Sequence, residues 1–177
     1  MPSIKTIVLC LGMLSLLTTP RFALAQFGGL FGGPAAATIE TKDLRAKLDK
    51  LQVAKDEAEK NDASAPESDF VLIDVRTDAE VNVSVIPGAI TKTQYEKNAA
   101  KYKGKLAIAY CTIGGRSGKY AQQLEKNGVK SLNYKGSILE WVKAELPLVT
   151  LDGKPTQRVH IYSDRYTVPK QYEAVTK

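Results

Sequence analysis

Cysteine is scarce in this sequence: two in 177 residues, Cys10 and Cys111. Cys10 falls in a leader-like start, so a processed chain keeps Cys111 alone and closes no internal disulfide. Cys111 then has no internal thiol to resolve any adduct it forms. Histidine is scarcer still, with His160 the single example, and nothing in the sequence sets it beside Cys111 as a general base. Flanked by Val159 and Ile161, it is expected to face outward if those two face in. Long apolar runs are missing. The leader's apolar core, 7–17, is eleven residues, short of the ~20 that span a bilayer, so no integral membrane segment is expected once the leader is removed. A one-sided charge is missing too. The 25 Lys and Arg are scattered among 19 Asp and Glu, giving a formal +6. No basic patch interleaved with aromatics stands out, which argues against a nucleic-acid partner. The mild positive balance suits attraction of small anions. There is no internal repeat.

What is present begins with that leader. Lys5, the apolar run, and the small-x-small triplet Ala23-Leu24-Ala25 have the layout of a signal peptide over 1–25 with Gln26 as first mature residue. The chain is therefore expected to be exported, periplasmic or secreted. Residues 26–37 hold Gly28-Gly29, Gly32-Gly33, Pro34 and three alanines and read as a flexible tether. A folded domain is expected over 38–147. A C-terminal extension over 148–177, with Tyr166, Val168, Pro169 and Tyr172, is expected to pack back on it. A short strand near 38–41 precedes a long helix over about 43–60, where Leu44, Leu48, Leu51, Ala54 and Ala58 recur at helical spacing. The apolar runs 70–76, 106–110 and 129–134 read as strands. Weaker helices are expected over 93–102 and after Gly136.

The stretch 106–124 organises the rest. An apolar strand runs into Cys111-Thr112-Ile113-Gly114-Gly115-Arg116, and a helix is predicted from about Ser117 to a stop at Gly128. Cys111 thus sits at the carboxyl end of a strand and ahead of a helix N-terminus, where free amides and the helix dipole favour an anion and favour thiolate over thiol.

This loop resembles the active-site loop of the rhodanese-like sulfurtransferases, in which the reactive Cys opens six residues, often with Gly fourth and Arg sixth. Here Cys111, Gly114 and Arg116 match. Phosphatase relatives have one residue more, which would put Arg at the position of Ser117; the tighter loop suits a sulfur on the Cys rather than a phosphate. Two further stretches resemble the family. They are Asp74-Val75-Arg76 with Glu80 following, and Ile86-Pro87-Gly88-Ala89-Ile90. Gly136 with Trp141 resembles a third signature, with Ser137 where the family commonly has a second Gly.

The resemblance implies an α/β fold of three layers, a central parallel sheet of about five strands with helices on both faces. It implies an exported thiosulfate sulfurtransferase-like enzyme that needs neither cofactor nor metal. Cys111 would take sulfane sulfur from a small anionic donor as a persulfide and pass it to a thiol, cyanide or a protein acceptor. Thr112, Ile113, Gly114, Gly115, Arg116 and Ser117 would bind substrate. Asp74, Arg76 and Glu80 would form either a hydrogen-bonded cluster at the mouth or a structural ion-pair network, and Trp141 either a ligand contact or core. Thr112 stands where many single-domain relatives carry Arg, which points to weak thiosulfate use or another donor. The alternatives are a non-catalytic persulfide carrier or redox-sensing module, a phosphatase or arsenate reductase on the same scaffold, and an inert buried thiol.

Overall fold

The computed structural model describes residues 35–176; the expected leader and most of the expected tether lie outside the described residues. Five parallel strands form the central sheet in the order β1-β5-β4-β2-β3: β1 (Thr38–Ile39), β2 (Phe70–Asp74), β3 (Ile90–Thr91), β4 (Leu106–Tyr110) and β5 (Ser131–Tyr134). The two central strands, β2 and β4, pair along their full length from Phe70 with Leu106 to Asp74 with Tyr110. Their near-continuous apolar sequence follows from burial on both faces. Alternate residues part company across the sheet. Phe70, Leu72, Ile108 and Tyr110 join Leu44, Ile138 and Trp141 on one side, and Val71, Ile73, Ala107 and Ala109 join Tyr95, Tyr120 and Leu124 on the other.

The long helix α1 (Thr41–Lys60) and α5 (Ser137–Lys143) therefore cover one face, and α3 (Lys92–Lys97) and α4 (Gly115–Lys126) the other. Leu44 of α1 is fully buried and Leu48 and Leu51 pack against the same cluster, whereas Val53 beyond them is exposed. Short α2 (Asp78–Val81) follows β2, and the Glu80 carboxylate accepts from the Thr77 N–H at 2.9 Å. The helix expected over 93–102 is interrupted. It ends at Lys97, and a single 3-10 turn (Ala99–Tyr102) follows, since only Tyr95 of α3 is buried. Helix α4 begins at Gly115, two residues before the expected Ser117. It ends as predicted, Gly128 (φ +79°) and Val129 donating to the carbonyls of Glu125 and Leu124.

The start of the sheet reaches back slightly. Ala36 is buried and the Ala37 carbonyl accepts from Asn133 N–H at 2.8 Å, so the last two residues of the expected tether are fixed at the sheet edge. After α5 the chain forms β6 (Leu148–Val149), antiparallel to β7 (Pro155–Thr156), then β8 (Arg158–His160), parallel to β9 (Glu173–Val175). Val159 and Ile161 enter the main core, and the Tyr172 hydroxyl donates to the Leu146 carbonyl at 2.7 Å. Strand β8 lies against α2. His160 does not face solvent. It is buried, and its Nδ1 accepts from the Tyr162 N–H at 3.1 Å, because the chain turns back on itself directly after β8.

Candidate active site

Cys111 follows β4, and its carbonyl and that of Thr112 accept from the N–H groups of Ile138 and Leu139 at 3.1 and 3.3 Å. The first amides of α5 thus hold the loop by its carbonyls, which turns the loop's own amides toward the sulfur. Gly114 N–H points at Cys111 Sγ from 3.1 Å. Gly114 has φ +87°, and a Cβ there would lie 2.3 Å from the Lys135 carbonyl oxygen, whereas a Cβ on Gly115 would meet nothing. Only Gly114 of the pair is demanded by the backbone.

Two serines complete the surroundings of the sulfur. Ser117 Oγ stands 3.5 Å from Sγ and 2.7 Å from Asn133 Oδ1, and the same amide donates from Nδ2 to the Gly114 carbonyl at 3.1 Å. Asn133 therefore holds both Ser117 and Gly114, two residues whose polar groups face Cys111. Ser137 Oγ accepts from the Cys111 N–H at 3.0 Å, donates to the Tyr134 carbonyl at 2.8 Å, and lies 3.9 Å from Sγ. Ser137 holds φ +54°, a left-handed backbone that costs an ordinary residue about 1–2 kcal/mol. This explains the preference for a second Gly here, and the two hydroxyl bonds offset the strain. Burial works against ionisation of Cys111. Contact with the Ser117 hydroxyl and donation from the N–H groups of Ser117, Ile113 and Gly114 outweigh it, so the thiol ionises below its ordinary range.

Arg116 stands near the Cys111 sulfur and reaches across to α2. Its Nη1 and Nη2 donate to Glu80 Oε2 and Oε1, both at 2.7 Å, and Nη2 also reaches Thr112 Oγ1 at 2.9 Å. Thr112 Oγ1 in turn donates to Glu80 Oε1 at 2.9 Å. Burial would raise the Glu80 pKa, but Arg116, Thr77 and Thr112 bring it down to about 2. Glu80 is ionised and Arg116 is matched.

Of the two readings of Asp74, Arg76 and Glu80, the structural ion pair describes Asp74 and Arg76, while Glu80 pairs with Arg116. Arg76 pairs with Asp74 at 2.7 Å, both side chains without solvent exposure, and donates to the Ser84 carbonyl at 2.6 Å. This pair ties β2 to the segment after α2, so it supports the position of Glu80 without lining the pocket. Trp141 is core, its Nε1 donating to the Pro147 carbonyl at 2.8 Å; it does not border the Cys111 pocket.

That pocket, about 220 Å³, is walled by Cys111, Thr112, Ile113, Gly115, Arg116, Tyr162 and Tyr166. Gly114 and Ser117 lie behind the sulfur. The two tyrosines come from the C-terminal extension, and no sequence signal tied them to the loop. Asn133 also escaped notice, one polar residue in a short strand.

Comparison with known proteins agrees with this geometry. Residues 51–144 match the rhodanese-like domain model. A sulfurtransferase of Allochromatium vinosum is 30% identical over 93 residues, 50% of this chain and 87% of that protein. An uncharacterized Synechocystis protein is 32% identical over 89 residues, 48% of this chain and 50% of its own length. The thiosulfate sulfurtransferase of Pseudomonas aeruginosa superposes with a TM-score of 0.52 at 18% identity, over 68% of this chain and 21% of that one, a likeness of fold. Among the described residues no helix is long and apolar enough to cross a membrane. The chain belongs to the rhodanese-like domain family of sulfurtransferase relatives.

Proposed function

We propose that the protein transfers sulfane sulfur through a persulfide on Cys111, from thiosulfate or a related donor to a thiol or cyanide. The observation that carries this reading is the sulfur's setting. It lies on the floor of an open pocket, faces backbone amides and two serine hydroxyls, and has its ionisation favoured. The thiolate attacks the outer sulfur of thiosulfate; the S–S bond breaks, sulfite leaves with the bonding pair, and Cys111 keeps an anionic persulfide. Attack by cyanide or a thiolate on that outer sulfur restores the Cys111 thiolate. No separate general base is invoked, because the loop's own donors favour the thiolate.

Gly114 and the amides after it would hold the growing charge on the persulfide. Arg116 braces the loop through Glu80 and borders the pocket beside Cys111. The leader-like sequence supports action outside the cytoplasm, and fractionation of cells expressing the full chain would check it. Intact mass after incubation with thiosulfate tests the chemistry. One added sulfur, removed by cyanide and missing in Cys111→Ser, is the expected result. Loading that never cycles would favour a persulfide carrier over an enzyme. No loading from any sulfane donor would overturn both.

A further inference from the structure

The walls of the Cys111 pocket are unusual for a site meant to hold a small dianion. Its single cation, Arg116, is taken by Glu80 at two points, and Thr112 is neutral. The remaining walls are apolar or aromatic. Ile113 and Tyr162 are two of only four large hydrophobic side chains exposed among the described residues, and they stand on the rim of this one pocket.

Tyr162 is held there. Its φ is +64°, a conformation that aromatic residues avoid, yet its N–H is tied to His160 Nδ1 at 3.1 Å and its ring lies 5.6 Å from the Arg116 guanidinium carbon. A strained exposed ring against the only cation leaves an aromatic face presented to whatever enters, while covering one side of Arg116. The residues that do this lie beyond the 51–144 stretch that matches the family.

We infer that Tyr162, with Tyr166 and Ile113, makes this site select a sulfane-sulfur donor of single negative charge bearing a flat apolar group, in preference to thiosulfate. The inference rests on the sulfur-transfer reading above. The transfer step is unchanged in kind. Cys111 thiolate attacks the outer sulfur of a thiosulfonate, R–SO2–S⁻, the S–S bond breaks, the sulfinate R–SO2⁻ leaves with the electron pair, and Cys111 persulfide remains. The R group lies along the Tyr162 ring, where stacking contributes a preference of roughly three- to tenfold.

Three donors separate charge from ring: thiosulfate, methanethiosulfonate and benzenethiosulfonate. Sulfur loading of Cys111 in the full chain is followed by intact mass, for the parent, Tyr162→Gly and Tyr162→Phe. Glycine suits the left-handed backbone, so loss of selectivity in that variant is not a folding defect, and thermal unfolding verifies this. The benzene-to-methane rate ratio of each variant, divided by that of the parent, cancels the donors' intrinsic reactivity. The expected result is a ratio falling about three- to tenfold in Tyr162→Gly and kept in Tyr162→Phe, with thiosulfate the poorest donor for the parent. An unchanged ratio in Tyr162→Gly, or a parent that loads best from thiosulfate, overturns the inference while sulfur transfer stands. No loading from any of the three overturns the transfer reading and this one with it.

Discussion

Among the described residues an arginine, a carboxylate and a tyrosine ring come together twice, once sealed and once open. In the first, Arg76 pairs with Asp74 and lies 5.9 Å from the Tyr110 ring, with neither charged side chain exposed. In the second, Arg116 pairs with Glu80 and lies 5.6 Å from the Tyr162 ring, with Arg116 38% exposed. Identical chemistry serves two purposes because of where it sits. The sealed set stands between β2, β4 and the segment after α2, where a charge cannot be rehydrated. The open set joins α2 to the Cys111 loop and borders the pocket. Removing a partner from the first exposes the fold to an unpaired buried charge; removing one from the second disturbs the site more than the frame.

The largest effect is therefore expected from Arg76→Ala, which strands the Asp74 carboxylate. A loss of about 3–5 kcal/mol is expected, measured by urea unfolding, and Arg116→Ala should lose less than half as much while slowing sulfur loading. Equal losses from the two would break the distinction between a sealed and an open pair. Within the loop the contrast recurs at smaller scale. Gly114→Ala pushes a Cβ against the Lys135 backbone and should destabilise by about 2–4 kcal/mol, while Gly115→Ala, with open space around it, should fall within about 1 kcal/mol of the parent.

Much of this was legible in the residues themselves. Three of the five strands followed from apolar runs at 70–76, 106–110 and 129–134, the five-stranded sheet followed from the family resemblance, and the thiol's place followed from a strand, a short loop and a helix in sequence. The partners of the loop were not legible. Glu80 lies 36 positions before Arg116, and the Asp74-Val75-Arg76 motif near it left open whether the three formed one cluster or an ion-pair network, where packing makes two separate pairs. Asn133 occupies a strand, where a lone polar side chain carries no periodic signal. Tyr162 reaches the pocket only because β8 lies against α2, a tertiary fact. His160 was expected to point outward by alternation, but β8 ends at that residue and the backbone turn at Tyr162 brings an N–H onto its ring.

Acid sharpens the comparison further. Glu80 has a pKa of about 2 in the folded chain against an ordinary 4.5. Its ionised form stabilises the fold fully above about pH 4.5, and that contribution, up to about 3 kcal/mol, is lost as pH falls toward 2. The stability difference between the parent and Glu80→Gln should therefore be near its maximum at pH 6 and shrink steadily by pH 3, followed by thermal unfolding across that range. A difference that does not change with pH would mean that Glu80 contributes through shape rather than charge.

The smallest effect is the most informative about the sulfur. Ser117 has one hydroxyl hydrogen and two acceptors, Asn133 Oδ1 at 2.7 Å and Cys111 Sγ at 3.5 Å. A thiolate draws that hydrogen more strongly than a thiol does. If the hydroxyl turns to Sγ, Ser117→Ala removes a donor to the anion, and the Cys111 pKa rises. The rate of sulfur loading, which climbs with pH as thiolate forms, should then reach half its maximum at a higher pH than in the parent. The variant would be slower near neutrality and would converge with the parent in alkali. If the hydrogen instead stays on Asn133, the profile keeps its midpoint and the substitution appears only as a stability loss of about 1 kcal/mol from the amide oxygen left without its donor. A shifted midpoint assigns Ser117 to the chemistry of the thiolate, and a fixed one assigns it, with Asn133, to holding Gly114 in place.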